Sequence, residues 1–397
     1  MSEEQKQKFF TWDEILKLDC LFNVAIGQRG PGKSTDSLHK MVKWCLTKTT
    51  RDGHPYQGAI IRRNKEDFIG KRGQAMFSTV IAQKWVEKYS KGKYNTIIYY
   101  GSRWYFATTV EEEDKNGNII EKTYKADEPF CYGFDLSTYY HDKSTSFPYV
   151  RTILFDEFIA DPNVQDYLPD ETRIFYEVLS TIIRRVEDEK QFREYKVFIC
   201  GNSLNIYCPY FKLWGIRDIK DIKPGEVRVY DYKDANGNPV LMKLALCITD
   251  TQITKDNLIS HMFAFNSPTM NLLTGNSDTE NGIWLLNQSP KCPVPYTSDD
   301  IEFEYFIRFD GEQYKCSVIV LDDCTFTFIN PHNRRLLHEE DTLIFDPLDD
   351  SPLPNHRKYI QEADNKFLKW LYSYYQKHLV YYSDNMTANA INSYLKL

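Results

Sequence analysis

The sequence predicts an α/β fold built on a mainly parallel sheet, and three observations support this class. Between Leu21 and about Tyr210, short apolar runs alternate with longer mixed segments, a pattern typical of strands that alternate with helices. The first apolar run, residues 21–26, leads directly into a glycine-rich segment. A later run, residues 152–155, ends in two adjacent carboxylates, as buried parallel strands with functional ends often do.

The glycine-rich segment, residues 27–34, matches the pattern G-x-x-x-x-G-K-[ST] of a Walker A loop. In such a loop the glycines let backbone amides face phosphates, the lysine reaches the β- and γ-phosphates, and the hydroxyl ligates Mg²⁺. An amphipathic segment follows, which is the context this motif requires, so ATP or GTP is the predicted ligand. The candidate nucleotide-binding residues are Gly27, Arg29, Gly30, Gly32, Lys33, Ser34 and Thr35.

The acidic pair at the end of the later run predicts a Walker B element. Asp156 is placed to hold the water shell of Mg²⁺, and Glu157 to act as general base on the attacking water. The second acid separates hydrolysing motors from P-loop kinases, which deliver phosphate to a bound acceptor, and therefore disfavours a small-molecule kinase. An ordinary strand end with two solvated acids is the alternative reading.

The remaining elements follow in chain order. Further strands are predicted at 58–63 and 196–202, and helices at 33–48, 66–89 and 172–187. Residues 94–135 differ in character, because strand-like runs flank an Asn116-Gly117 turn, and predict a β-hairpin insertion of unassigned role.

Length and pattern together predict two domains joined by a linker. Residues 1–215 form the nucleotide-binding domain, and 216–250, which includes a second hairpin pattern, form the linker. Residues 251–397 form the second domain, although 251–300 give no clear pattern. Alternation at 305–329 predicts a three-stranded meander, and periodic apolar residues predict helices at 358–376 and 387–395.

Charge is unevenly distributed along a chain whose formal net charge is −7. Residues 1–103 hold 19 Lys or Arg against 10 Asp or Glu, whereas 299–350 hold 4 basic and 14 acidic residues. The basic first part could engage duplex phosphates, or serve only solubility. The nine cysteines are scattered without C-x-x-C pairs, so they are expected to be reduced packing residues. No signal segment or membrane span is apparent, so a soluble intracellular protein is expected.

These motifs, together with 59–65, 152–159 and 208–211, make the chain resemble the DNA-packaging ATPases of small picovirus-type tailed phages. The resemblance covers 21–213 in order and is looser over 300–397. It implies a terminase-like motor with an additional-strand, catalytic-glutamate (ASCE-type) ATPase domain. It also implies a homopentameric ring that hydrolyses ATP with Mg²⁺ and drives double-stranded DNA through the portal into a procapsid.

The resemblance also assigns roles to single residues. Lys33 and Ser34 bind phosphate and Mg²⁺, Asp156 and Glu157 are the Walker B acid and base, and Arg184 matches the arginine finger that reaches a neighbouring subunit's γ-phosphate. Arg185 is a rival for the finger, and a surface ion pair with nearby acids is the alternative for either arginine.

Four further residues complete the set. Asn202, after the strand that follows Walker B, is either a sensor of the γ-phosphate or a cap for the next turn. Arg29, Lys65 and Lys143 match basic residues of the family and are candidates to contact the adjacent nucleotide or DNA. A lone exposed lysine otherwise serves only solvation.

For the second domain, the resemblance implies an RNase H-like fold that is a vestigial nuclease. Asp310 and the pair Asp322 and Asp323 are the available acids, without the full carboxylate set that two-metal cleavage needs. A packaging terminase with an active nuclease and a nucleotide-switched assembly protein are the alternatives. The resemblance further implies that the protein acts in the host cytoplasm, at the portal vertex, and is absent from the mature virion; a structural RNA is a further possible partner.

Overall fold

A computed structural model of the protein describes residues 9–28, 30–113, 118–138, 145–160, 167–184, 186–202, 208–249, 292, 294–332, 334–351, 353–362 and 364–397. The chain divides into two compact units, Met1–Trp284 and Leu285–Leu397. Each unit has its own sheet, so the two are described in turn.

The first unit holds strands and helices in alternation. The strands are β1 (Phe22–Gly27), β2 (Gln57–Arg62), β3 (Thr96–Tyr100), β4 (Arg103–Glu113), β5 (Ile119–Lys125), β6 (Cys131–Asp135), β7 (Val150–Asp156), β8 (Lys196–Asn202), β9 (Val227–Lys233) and β10 (Pro239–Ile248). The helices are α1 (Asp13–Leu16), α2 (Lys33–Thr47), α3 (Lys71–Ala75), α4 (Ser78–Ala82), α5 (Trp85–Tyr89), α6 (Glu171–Ile182), α7 (Glu189–Glu194) and α8 (Pro209–Leu213).

These strands form one sheet with the order β3-β4-β6-β2-β7-β8-β1-β10-β9, and β5 pairs with β4 outside this path. The six central strands, from β6 to β10, pair in parallel. Strands β1 and β7 are buried at every position, as parallel strands covered on both faces are. Strand β8 lies between β1 and β7, so the two motif-bearing strands are second neighbours.

Helices cover both faces of this sheet. On one face, α2 packs Leu38 and Met41 into a core cluster that includes Leu154 of β7. On the other face, Phe175 of α6 stacks on Phe155, with ring centroids 4.8 Å apart. Because successive side chains of a strand point to opposite faces, Leu154 and Phe155 anchor the two helical layers to the same strand. The mainly parallel α/β fold predicted from the sequence is confirmed.

The predicted insertion at 94–135 is part of the main sheet. Strands β3, β4 and β5 extend the sheet antiparallel to one another, as a hairpin pattern predicts. Residues 131–135, however, form β6, which pairs in parallel with β2 and lies inside the sheet. No sequence pattern indicated β6, because a five-residue strand containing Gly133 carries little periodicity.

The segment 216–250 was predicted as a linker, but it contributes two strands to the sheet of the first unit. Strand β10 pairs in parallel with β1 from Phe22↔Leu244 to Ile26↔Ile248, and β9 forms the antiparallel edge. The predicted hairpin is present, but the prediction that it belongs to a linker was wrong, because both strands are part of the main sheet. A strand that returns to pair with β1, more than 200 residues earlier in the sequence, leaves no local signal.

The predicted helix at 66–89 is also interrupted. A 3₁₀ turn at Lys65–Phe68 precedes the short helices α3, α4 and α5. Gly70 and Lys84 adopt positive φ values of 56° and 53°, which a continuous right-handed helix cannot contain. The breaks bend this segment over one edge of the sheet, where it lines the cavity described below.

The second unit contains the predicted meander within a larger sheet. The antiparallel strands β11 (Ile301–Phe309), β12 (Glu312–Val320) and β13 (Thr325–Pro331) are joined by β14 (Ile344–Phe345), β15 (His356–Arg357) and β16 (Val380–Tyr382), in the order β15-β14-β11-β12-β13-β16. Helices α9 (Lys366–Gln376) and α10 (Asn385–Tyr394) follow. Both begin at side-chain caps, because Asn365 and Asp384 accept hydrogen bonds from Leu368 N–H and Thr387 N–H.

Among the helices that the structure describes, none combines the length and the apolar character that a bilayer crossing requires.

Phe77→Leu should destabilise the first unit by about 1–2 kcal/mol, because it leaves a cavity and removes aromatic contacts. Phe77 is fully buried, with ring centroids 5.6 Å from Trp104 and 5.3 Å from Phe130. Tyr100→Leu is the control, since Tyr100 is 77% exposed, and should change stability by less than about 0.5 kcal/mol. Urea unfolding measures both; equal effects would contradict the described packing.

Candidate functional site

The loop between β1 and α2 is shaped by glycines and closed by Lys33. Gly30 and Gly32 have φ values of 94° and 102°, a region that other residues rarely adopt, and Gly32 is the N-cap of α2. The Lys33 ammonium donates hydrogen bonds to the carbonyls of Gly27 at 3.1 Å and Gln28 at 2.7 Å. The first amides of the 15-residue helix α2 therefore face the loop, a geometry that favours anions.

Lys33 is 6% exposed, and this burial has an electrostatic consequence. Desolvation lowers the pKa of its ammonium to about 8, although the nearby Cys200 and Asp156 oppose the shift. A buried cation with few opposite charges around it is poised to bind an anionic ligand, whose charge would compensate the desolvation.

Asp156 joins the loop helix to the end of β7. Its Oδ1 accepts a hydrogen bond of 2.7 Å from the Ser34 hydroxyl. Both side chains meet at the carboxyl edge of the parallel strands, where this class of sheet binds ligands. A hydroxyl and a carboxylate oxygen side by side are hard ligands of the kind that Mg²⁺ prefers.

Arg62 is the residue of this site that the sequence analysis missed. It ends β2, the neighbour of β7, and its Nη2 lies 2.9 Å from Asp156 Oδ2 while its Nη1 lies 3.0 Å from Glu157 Oε2. Burial alone would lower the pKa of Arg62, but the charges of Asp156 and Glu157 outweigh it and raise the pKa. The sequence feature that could have identified Arg62 is its position near the end of the strand predicted at 58–63.

Glu157 follows β7 and lies at the mouth of a cavity. Its side chain is 54% exposed, and its backbone adopts a left-handed φ of 61°, which is uncommon outside glycine. The cavity has a volume of about 410 Å³ and extends from α2 to the bent segment that contains α3 and α4. Its lining includes Ser34, Thr35, Arg62, Asp67, Arg72, Thr79, Asp156 and Glu157.

Of the other predicted residues, the structure describes Asn202, Lys65 and Arg184. Asn202 ends β8 directly beside Gly27, and Lys65 is exposed in the 3₁₀ turn after β2. Arg184 is exposed two residues beyond the end of α6 and is not a member of the cavity lining. Arg29, Lys143 and the rival Arg185 lie outside the residues that the structure describes.

In the second unit, the structure separates the predicted acids. Asp310 lies in the turn before β12, whereas Asp322 and Asp323 follow its end. A strand of nine residues spans about 30 Å, so these carboxylates lie at opposite ends of the meander. Two metals in a cleaving site lie about 3.5–4 Å apart, so these three acids do not form such a site.

Comparison with known proteins confirms the resemblance that the motifs suggested. A sequence profile described as Podovirus DNA encapsidation protein (Gp16) matches residues 93–232. The chain is 23% identical over 227 residues to each of two relatives named DNA packaging protein, from Bacillus phages PZA and phi29. Each match covers 57% of this chain and 55% of the relative, so the chain matches about half the length of these relatives.

The fold is similar to a solved structure described as the bacteriophage Phi-29 viral genome packaging motor assembly. The TM-score is 0.50 at 15% identity, and the alignment covers 98% of this chain and 99% of the other. At this identity the likeness concerns the fold.

Replacing Lys33 tests the buried charge in the loop. Lys33→Met should raise the stability of the first unit near pH 7 by about 1–3 kcal/mol, because it removes a buried charge. The pKa of the Lys33 ammonium is about 8 in the folded protein and takes the ordinary value of 10.5 in the unfolded chain. Above pH 8 the native protein loses this proton before the unfolded chain does. The stability of the unchanged protein therefore rises with pH up to about 10.5, and the advantage of the variant shrinks.

Thermal unfolding across this pH range measures the effect. Lys40→Met is the matched control on the same helix, since Lys40 is 6% exposed but forms an ion pair of 2.6 Å with Asp13. Lys40→Met removes this ion pair and should therefore destabilise the first unit. A Lys33→Met protein that is less stable than the unchanged protein near pH 7 would contradict this account of the loop.

Proposed function

We propose that this protein is an ATP-hydrolysing ring motor that translocates double-stranded DNA through a portal into a phage procapsid. The observation that carries the proposal is the meeting of Ser34, Asp156 and Glu157 at one sheet edge beside the Lys33 loop. This arrangement supplies what phosphate binding, metal binding and water activation each need. The similarity to phage packaging proteins supplies the process that hydrolysis serves.

The loop and α2 bind the nucleotide phosphates in this proposal. Amides at the start of α2 and the Lys33 ammonium contact the β- and γ-phosphates, and Gly27 to Thr35 form the cradle. Ser34 and Asp156 would hold Mg²⁺, which neutralises charge on the phosphate oxygens. The Ser34 hydroxyl would keep a lone pair for the metal while it donates to Asp156 Oδ1, and Asp156 would ligate through an oxygen that now contacts Arg62.

Glu157 acts as general base. It is the acid of the cavity that follows directly after Asp156, so a water beside the γ-phosphate comes within its reach. Arg62 holds one carboxylate oxygen of Glu157 at 3.0 Å, which leaves the other to accept a hydrogen bond from water. Asn202 is the proposed phosphate sensor, and its position beside Gly27 at the end of β8 supports this role.

Strand order supports the ASCE-type assignment. In that class, an additional strand separates the Walker A strand from the Walker B strand, and β8 takes this position between β1 and β7. The catalytic glutamate directly after the Walker B aspartate agrees with the same class. Both features favour water as the phosphoryl acceptor.

Arg184 acts in a neighbouring copy of the chain. The helix α6 begins at Glu171, which Arg63 links to the carbonyls of Glu157 and Phe158, and its 12 residues span about 18 Å before Arg184. Arg184 is therefore remote from its own Glu157, while its exposure suits contact with the γ-phosphate held by another subunit. A guanidinium supplied in this way ties hydrolysis to a ring, which the resemblance makes pentameric.

The partners follow from the same resemblance. Duplex DNA passes through the ring, and Lys65 and Lys143 are the proposed contacts to DNA or to the adjacent nucleotide. The portal of the procapsid is the docking partner, and a structural RNA is a further one. The protein acts in the host cytoplasm during assembly and leaves before the virion matures.

The second unit is proposed to be an RNase H-like, non-cleaving domain. Its meander β13-β12-β11, extended by β14 and β15 in parallel to β11, agrees with the sheet of that fold. The separation of Asp310 from Asp322 and Asp323 disfavours cleavage by these acids. The active-nuclease alternative is therefore not preferred.

Steady-state ATPase activity with and without linear duplex DNA tests the proposed function. DNA should stimulate hydrolysis, and Glu157→Gln should lower kcat by at least about 100-fold, because the general base is lost. Arg184→Ala should lower kcat by about 1000-fold or more. Mixing Arg184→Ala with Glu157→Gln should restore activity, since sites that keep Glu157 then receive Arg184 from a neighbour.

Arg173→Ala is the control for Arg184, because Arg173 is an exposed arginine of α6 whose ion pairs are with Asp170 and Glu177. It should keep nearly full activity. Turnover that ignores DNA and survives the loss of Arg184 would reject the motor and favour a nucleotide-switched assembly protein.

A further inference from the structure

The backbone at Glu157 needs support, because its φ of 61° is strained for a residue with a side chain. Two hydrogen bonds come from its own surroundings. The Glu157 amide donates to Asp156 Oδ1 at 3.2 Å, and the Phe158 amide donates to the Cys200 carbonyl of β8 at 3.2 Å. Neither of these bonds holds the carbonyl side of the Glu157 peptide.

Arg63 holds that side. It follows directly after β2 and is 3% exposed. Its Nη1 donates to the Glu157 carbonyl at 3.3 Å, and its Nη2 donates to the Phe158 carbonyl at 2.9 Å. One guanidinium thus fixes two successive peptide groups at the strained position.

Glu171 orients Arg63 from the first turn of α6. Its carboxylate accepts from Arg63 Nε at 2.7 Å and from Nη2 at 3.0 Å, and its side chain is 1% exposed. The Tyr210 hydroxyl donates to the same carboxylate at 3.0 Å, and the Leu168 amide at 2.8 Å. The ring of Tyr167 lies against the guanidinium, 5.1 Å from its carbon. The pair is therefore buried with its hydrogen bonds satisfied.

Electrostatics keep the Arg63 guanidinium charged. Burial alone would lower the pKa of Arg63, but the hydrogen bond and charge of Glu171 outweigh it and raise the pKa. Burial and the same carboxylate raise the pKa of Tyr210 well above its usual value, so its hydroxyl remains a donor. The fixed fork of an arginine is needed here, because a lysine cannot bond two carbonyls and a carboxylate in the same plane.

We propose that Arg63 and Glu171 are positioning residues for hydrolysis, which fix the Glu157 peptide so that its carboxylate projects into the cavity. The inference rests on the proposed function, in which Glu157 is the general base. Neither residue lines the cavity, so the pair affects the placement of the base and leaves phosphate binding intact. Its loss should lower kcat without weakening the binding of ATP.

Arg63→Lys tests this directly, because it keeps the buried charge while removing the fork. In the full chain with duplex DNA, kcat should fall at least about 10-fold, while KM for ATP and Kd for a fluorescent ATP analogue stay within about 2-fold. A smaller folded fraction would also lower the apparent kcat at unchanged KM, so kcat is calculated per active site, counted by titration with the fluorescent ATP analogue. An unchanged kcat in a folded Arg63→Lys protein would overturn the inference.

Arg151→Lys is a closely matched control at the other end of β7. Arg151 is also 3% exposed, pairs with Glu194 at 3.0 Å, donates to the carbonyls of Pro148 and Val150, and lies over the Tyr195 ring. Arg151→Lys should lower the stability against denaturant about as much as Arg63→Lys does, and should keep kcat within about 2-fold of the unchanged protein. An equal fall of kcat in both variants would show that stability, not positioning, limits turnover.

Tyr210→Phe covers the case in which Arg63→Lys does not fold. It removes one hydrogen bond to Glu171 and should lower kcat about 2- to 5-fold at unchanged KM; no change in kcat would overturn the inference. If Glu157→Gln loses activity while Arg63→Lys and Tyr210→Phe keep a normal kcat, the positioning role is rejected and the proposed ATPase is retained. Absence of hydrolysis in the unchanged protein would reject both.

Discussion

The hydrogen bond between Ser34 and Asp156 is the contact on which the site depends. It joins residues 122 positions apart, the first turn of α2 and the end of β7, across the intervening strand β8. The parallel sheet makes this contact possible, because the carboxyl ends of β1, β7 and β8 lie at one edge. The glycines of the loop then bring Lys33 and the amides of α2 to the same edge.

Two adjacent arginines of one strand end support this edge in different ways. Arg62 contacts the carboxylates of Asp156 and Glu157 within the cavity, whereas Arg63 turns away from it and bonds the backbone of Glu157 and Phe158. Arg63 also ties that backbone to Glu171, the first residue of α6. The helix α6 therefore begins at a residue tied to the Glu157 peptide and ends two residues before Arg184, so one helix connects the two regions that the proposed shared site uses.

The sequence predicted the loop and the Asp156-Glu157 pair because in both the chemistry is carried by consecutive residues. It also predicted the parallel strands that hold them and the antiparallel meander. Arg62, Arg63 and Glu171 were missed as functional residues, because their partners lie 94 and 108 positions away and depend on which strands pair. The same limit explains β6 and β10, whose places in the sheet come from non-local pairing. The periodicity at 66–89 predicted one continuous helix, whereas the positive φ values at Gly70 and Lys84 divide this segment into shorter ones.

In the proposed motor, a second copy of the chain completes the catalytic site. The most direct measurement is the ATPase activity per subunit of the unchanged protein across a dilution series, with molecular mass determined at each concentration. If the site is shared, monomers have little activity, and activity per subunit rises with the fraction of protein in larger assemblies. Full activity in monomers would contradict it, because each subunit would then supply every catalytic group by itself.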